Sequence, residues 1–473
     1  MFGGFLSGED SFDLAVVGSG PGGYVAAIRA AQLGQKVAVI EDDRPGGVCL
    51  NWGCIPSKAL LTGAELVENL RSHGDVFGIS ASGITLDYDK LITHSRKTAD
   101  RLSKGVESLF RKNKITLVRG HGRLSGPTRV DVSGPQQTVV EAAHVLLATG
   151  SREWVPPGIA VDGRHILTSR EALESRTIPA RLVVIGAGAV GVEFAYVYAM
   201  YGAQVIVLEM ADQMLPGADP EMAEVLQREF RRKKIEVRLG TRFEEAKLAN
   251  GSVRLRVSKG DTSEELEAEQ VLVAIGRRPL SGDVGLDAVG LESDAKGFIP
   301  VDANLRTGSP TILAIGDVAQ PPLLAHKASE EGIAAVETLC GVKRPPLDHW
   351  KIPACIYAQP QVAWIGRTEA QARAEFGEDL RIGKFPFTAS GKAVASAHTA
   401  GFAKIIAEPR YGEIVGAHIV GAGATELIAE MSLAMTLEAT TSEIASTSHA
   451  HPTLSEALLE AALAAEGRGI NFF

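Results

Sequence analysis

An apolar run from Asp13 to Val17 ends in Gly18-Ser19-Gly20-Pro21-Gly22-Gly23, an Ala-rich segment follows to Gln32, and a second apolar run, Lys36 to Ile40, closes on Glu41. The pattern returns further along. Leu182 to Ile185 leads into Gly186, Gly188 and Gly191, a periodic segment runs through Tyr201, and Gln204 to Leu208 closes on Glu209. Gly18 and Gly186, Gly20 and Gly188, Gly23 and Gly191, and Glu41 and Glu209 are each 168 residues apart. One glycine triplet could serve close packing alone. Two copies with matched acids predict two strand-turn-helix-strand units. In each, the first glycine makes the tight turn, the second lets backbone approach a pyrophosphate, and the third lets helix pack on strand. The helix N-terminus faces the anion and the acid takes a ribose hydroxyl, so two dinucleotides are expected.

A chain of 473 residues is several domains long. The runs Val145 to Ala148, Val271 to Ala274 and Ile312 to Ala314 end in Thr149-Gly150, Ile275-Gly276 and Ile315-Gly316-Asp317, and they read as strands returning to the carboxyl edges of two sheets. Polar, Pro-rich stretches at Trp154 to Gly158 and Gly341 to Pro346 mark boundaries. From Lys351 onward, strand patterns such as Gln361 to Ile365 and Ala403 to Ile406 alternate with Ala- and Leu-rich helical segments, predicting an α+β domain. The expected division is 1–150, 151–280, 281–348 and 349–473. The run Arg231-Arg232-Lys233-Lys234 should close a helix from Glu221 as a solvated C-terminus.

With 48 Lys and Arg against 57 Asp and Glu, the net charge of −9 argues against nucleic acid as a partner. Leu182 to Leu208 is interrupted by Glu193, Gln204 and glycines, so no membrane span is expected. No Lys or Arg precedes Arg29, which gives no basic n-region for export, and four cysteines are too few for a disulfide scaffold; a reducing, cytoplasmic setting is expected.

Cys49 and Cys54 follow directly on Glu41. In an ideal helix, residues five apart are separated by about 7.5 Å along the axis, beyond the usual disulfide limit near 6.8 Å. The pair could close only in distorted backbone, which Gly53 and Pro56 would supply. Two unrelated buried cysteines are the plainer alternative. No metal site is expected, because the spacing is not C-x-x-C and no His lies between Gly46 and Thr62.

The segment from Gly46 to Lys58 resembles the redox-active motif of the flavin-dependent pyridine nucleotide-disulfide oxidoreductases. The resemblance to that family extends to both glycine fingerprints and to Gly276-Arg277-Arg278-Pro279, Gly316-Asp317, Ala325-His326-Lys327-Ala328, Pro360-Gln361-Val362-Ala363-Trp364 and His449-Ala450-His451-Pro452-Thr453-Leu454. The resemblance spans nearly the whole chain and is nearest to the members that reoxidise dihydrolipoyl groups of 2-oxo acid dehydrogenase and glycine cleavage complexes. It implies an α/β fold of two Rossmann-like dinucleotide-binding domains, for FAD and NAD, with a C-terminal α+β dimerisation domain and a homodimer. It implies that Cys49 meets the substrate, that Cys54 faces the flavin, that Lys58 lies beside the flavin paired with Glu193, and that Asp317 holds the ribityl chain. Gly150, Gly276 and Ala325 join Gly18, Gly20, Gly23, Glu41, Gly186, Gly188, Gly191 and Glu209 as cofactor-binding positions. His451 is implied as the base and Glu456 as the group that orients it, with Pro452 and Glu456 in the first turn of a helix. The implied partner is a lipoyl-bearing carrier domain and the small substrate dihydrolipoamide. The rivals are a related NAD(P)H-dependent reductase of another small disulfide, a transhydrogenase or oxidase of the same fold, and a non-enzymatic flavoprotein.

Overall fold

The computed structural model describes residues 11–80, 83–135, 137–249 and 251–471. Part of the N-terminal stretch on which the reading about export rests, residues 1–10, lies outside them.

The chain forms two compact units. The first contains residues 1–57, 93–154 and 276–349. Its strand Phe12–Val17 (β1) is buried, Gly20 precedes the helix Pro21–Gln32 (α1), and the fully buried strand Val37–Glu41 (β2) runs parallel to β1. Parallel pairing continues on one side to Thr116–Arg119 and on the other to Thr138–Leu147 and then Ile312–Ala314. The run expected from Val145 is thus the end of a ten-residue strand, whose first half pairs antiparallel with Arg129–Ser133. The alternation of buried and exposed residues there is what one covered face requires. On the sheet lies α1, and against it the helix Ala325–Leu339. They approach closely at glycines: a Cβ on Gly332 would stand 2.6 Å from the Gly22 carbonyl oxygen.

The second unit contains residues 58–92, 155–275 and 350–473. Its parallel sheet runs Glu236–Arg238, Gln204–Leu208, Arg181–Ile185, Gln270–Val273, Ile166–Leu167. Helix Ala189–Met200 is buried on most of its circumference, which explains its near-continuous apolar sequence. The last quarter of the chain forms a five-stranded antiparallel sheet, Ala354–Ile356, Gln361–Gly366, Ile414–Gly421, Phe402–Ala407 and Arg381–Pro386, with helices Ala424–Thr436 and Glu456–Ala465 packed on it. Two local expectations change. The helix after Pro452 begins only at Glu456, because Thr453 closes the preceding turn by donating from Oγ1 to the Ala450 carbonyl. Helix Pro220–Arg232 ends as expected, but Lys233 is not solvated: its ammonium lies 2.8 Å from Glu68, which also accepts from the Tyr196 hydroxyl at 2.6 Å.

No helix among the described residues is long and apolar enough to cross a membrane.

Candidate active site

The two glycine loops repeat in geometry as they do in sequence. Gly18 and Gly186 have φ of 98° and 103°, where a side chain is strained, and a Cβ on either would meet the Ala148 or Ala274 carbonyl oxygen at 2.4 and 2.5 Å. On Gly23 and Gly191 a Cβ would fall 2.0 and 1.9 Å from the carbonyl oxygens of Gly18 and Gly186. Gly20 and Gly188 face open space within 4 Å. The open side is where a pyrophosphate must approach backbone, and the crowded positions are where strand, turn and helix meet, so the residues fit a dinucleotide at both loops.

The matched acids act on the loops themselves. Glu41 accepts from the Ser19 amide at 2.9 Å, the Ser19 hydroxyl at 2.5 Å and the Asp43 amide at 2.9 Å. Glu209 accepts from the Ala187 amide at 2.8 Å and the Ala211 amide at 2.9 Å. Burial lifts the Glu41 carboxyl above its ordinary range, against those hydrogen bonds. Sequence reasoning missed this brace because its donors are mostly backbone amides, which leave no trace in residue identity.

Cys49 and Cys54 form a disulfide with Cα atoms 4.7 Å apart. Cys49 lies in the short helix Gly47–Trp52 (α2) and Cys54 begins the helix Cys54–Glu68 (α3). Gly53 (φ −152°, ψ −112°) leaves the helical region between them, the distortion that a five-residue spacing requires. Asn51, fully buried, donates from Nδ2 to the carbonyls of Arg44, Pro45 and Gly47, tying α2 to the turn that follows β2.

One turn beyond Cys54 on α3 is Lys58. Its ammonium lies 3.0 and 2.9 Å from the two carboxylate oxygens of Glu193, which is buried on the helix after the second glycine loop and also accepts from the Tyr357 amide at 3.0 Å. Such partners offset the cost of burying a carboxylate in an apolar helix. Tyr357, whose ring lies 4.4 Å from the Lys58 ammonium, and Cys355 beside it were not anticipated from sequence.

Asp317 sits in a single 3₁₀ turn, Gly316–Val318, after the strand Ile312–Ala314, and accepts from the Ser151 hydroxyl at 2.5 Å. Arg277 in turn donates to that hydroxyl at 2.8 Å. Beneath the turn, Lys327 and Glu331, both fully buried, pair at 3.0 Å; Lys327 donates to the Gly316 carbonyl and Glu331 accepts from the Gly316 amide. The i,i+4 spacing of Lys327 and Glu331 was the available sequence signal for this support. Ala325 is the first residue of their helix, and Gly150 and Gly276 have φ of 74° and 130° at the ends of returning strands.

His451 is exposed, and its Nδ1 lies 2.9 Å from Glu456 Oε1, while Glu456 Oε2 accepts from the Thr453 amide at 2.8 Å. That amide and His451 hold the Glu456 carboxyl below its usual range. A carboxylate at Nδ1 favours the tautomer with the proton there, leaving Nε2 as the acceptor. His449 pairs separately with Glu430 at 2.8 Å. Among the described residues no group of three or more His, Cys, Asp or Glu is arranged to hold a metal ion.

Residues 12–332 match the family model for pyridine nucleotide-disulphide oxidoreductases, and residues 352–462 match the model for that family's dimerisation domain. The chain belongs to the pyridine nucleotide-disulphide oxidoreductase family. Within this family it is 43% identical to a dihydrolipoyl dehydrogenase of Zymomonas mobilis, covering 98% of this chain and 100% of the relative. It is 42% identical to a dihydrolipoyl dehydrogenase of Cupriavidus necator, covering 97% and 99%. The crystal structure of LpdA from Mycobacterium tuberculosis superposes with a TM-score of 0.89 at 26% identity, covering 95% of this chain and 98% of that one. As a pyridine nucleotide-disulphide oxidoreductase, the chain has two dinucleotide-binding domains, for FAD and NAD, and a C-terminal dimerisation domain.

Proposed function

We propose that the protein is the NAD-dependent dehydrogenase of dihydrolipoyl groups, served by a lipoyl-bearing carrier domain in the cytoplasm and working as a homodimer. The observation that carries the reading is the Cys49–Cys54 disulfide, held at a glycine-broken helix start directly after the first dinucleotide unit. The names of the near relatives support the same substrate. The proposed domain roles are FAD binding with the dithiol for 1–150, NAD binding for 151–280, a return segment for 281–348 and dimerisation for 349–473.

A dihydrolipoyl thiolate attacks the Cys49 sulfur, and Cys54 leaves as a thiolate. The second dihydrolipoyl sulfur, having given its proton to His451 Nε2, attacks the lipoyl sulfur of the mixed disulfide. Lipoyl disulfide departs, and Cys49 and Cys54 are left reduced. FAD, when bound, would supply the two-electron relay from the Cys49–Cys54 dithiol to NAD. Glu456 keeps the His451 proton at Nδ1 and stabilises the imidazolium. Lys58, fixed by Glu193, would hold a cation beside a bound flavin, and Asp317 would accept from its ribityl hydroxyls. Gly18, Gly20, Gly23, Gly150 and Ala325 line the FAD site, and Gly186, Gly188, Gly191 and Gly276 the NAD site. Glu209 repels a 2′-phosphate and so favours NAD over NADP.

Steady-state assays separate this reading from a reductase of another small disulfide. NAD reduction by dihydrolipoamide and NADH oxidation by lipoamide should both be fast, with glutathione disulfide and oxygen slow. Failure with lipoamide in both directions would remove the substrate assignment.

A further inference from the structure

Two adjacent residues of the helix Tyr88–Lys112 (α4) grip the backbone on both sides of Gly53. Arg96 donates from Nη1 to the Asn51 carbonyl at 2.7 Å, and its guanidinium stacks 4.4 Å from the centre of the Trp52 ring. The Trp52 indole N–H donates to Asp43 at 2.7 Å, which holds the ring in place for that stacking. On the far side, the buried Ser95 hydroxyl donates to the Pro56 carbonyl at 2.8 Å. In a continuous helix the Asn51 carbonyl would accept from the amide four residues on, that of Ile55. Arg96 occupies this acceptor instead, so α2 stops short of α3 and the break at Gly53 is kept.

We infer that Ser95 and Arg96 are positioning residues that set the reduction equilibrium of the Cys49–Cys54 pair, by preventing α2 and α3 from merging into one helix. Once the disulfide is reduced, no covalent bond holds the two cysteines together. If the segment then relaxes towards helical spacing, the sulfurs separate along an axis by about 7.5 Å and must be brought back before they can close. The brace keeps the backbone at the 4.7 Å Cα separation, which raises the effective concentration of one thiol at the other and favours the disulfide. Arg96 can do this where lysine cannot fully, because a planar guanidinium both donates in its plane and stacks through its face.

The inference rests on reading Cys49–Cys54 as the working couple, so the test measures that couple and not turnover. The holoenzyme is equilibrated in glutathione and glutathione disulfide at graded ratios, where disulfide plus two glutathione exchanges with dithiol plus glutathione disulfide. The state of Cys49 and Cys54 is then counted by alkylation and mass spectrometry. Arg96→Met should move the midpoint about tenfold towards the dithiol, about 30 mV for this two-electron couple, and Ser95→Ala should move it the same way by a smaller factor. Arg96→Lys should fall between Arg96→Met and wild type, and Lys97→Met, at the exposed neighbouring position, should match wild type. Midpoints unchanged in Arg96→Met and Ser95→Ala would overturn the inference even if their melting temperatures fell. Should Arg96→Met not fold, Ser95→Ala and Arg96→Lys decide by the same midpoint. A wild-type pair that does not exchange at all would overturn the redox reading and this inference with it.

Discussion

The same residue type does different work at Cys49 and Cys355. Cys49 lies in a disulfide at a helix break, whereas burial pushes the Cys355 thiol up to about 11, and the Tyr357 hydroxyl beside it is pushed up to about 12. Thiolates react and thiols do not. Since Cys355 is protonated below its raised value, its thiolate fraction should grow about tenfold with each pH unit up to about pH 11. In reduced protein at pH 8, iodoacetamide should label Cys49 rapidly and leave Cys355 unmodified, read by peptide mass spectrometry. Rapid labelling of Cys355 at pH 8 would contradict its burial beside Tyr357. The Cys49–Cys54 pair was legible in the sequence only through the resemblance its motif carries, because the five-residue spacing by itself left two unrelated cysteines as the plainer reading. The setting of Cys355 was not, because the groups that define it, Lys58 and Glu193 among them, come from distant parts of the chain.

At the scale of elements, the three glycines of each loop separate into structural and ligand-facing positions. Gly191→Ala forces a Cβ against a carbonyl oxygen at 1.9 Å. Overpacking of this kind costs about 1–3 kcal/mol, so the variant should melt lower with or without NAD. Gly188→Ala meets nothing within 4 Å; it should melt like wild type and raise the KM for NAD at least about tenfold, since the methyl occupies the side that must admit a pyrophosphate. Thermal unfolding and NAD titration on the two proteins check the contrast, and equal melting temperatures would refute it. The strands and helices around the two glycine loops follow the sequence periodicity. The exceptions lie elsewhere, where side chains intervene: Thr453 and Glu456 delay the last helix to Glu456, and Glu68 takes Lys233 out of solvent.

For the whole molecule, the proposed homodimer assigns His451 to the Cys49 site of the other subunit. A Cys49→Ser chain mixed with a His451→Ala chain should then give dimers with one doubly damaged site and one intact site. Random pairing makes roughly half the dimers mixed, so the recovered rate should approach roughly a quarter of wild type. Each parent homodimer should stay nearly inactive. Activity no higher than that of the parents, measured as NAD reduction by dihydrolipoamide, would assign His451 to its own subunit.

By itself the sequence determined the two dinucleotide units, the position of the cysteines directly after the first, and the acids that close each second strand. These features are written within about thirty residues of chain, where turn geometry and side-chain period act locally. Only the tertiary structure decided what holds the chemical groups in place. Tyr196 meets Glu68 across 128 residues and Asp317 meets Ser151 across 166, while Arg96 takes a backbone carbonyl 45 residues away. Such contacts depend on hydrogen-bond reach in three dimensions. Partners that distant share no period, and a backbone acceptor has no residue identity to read.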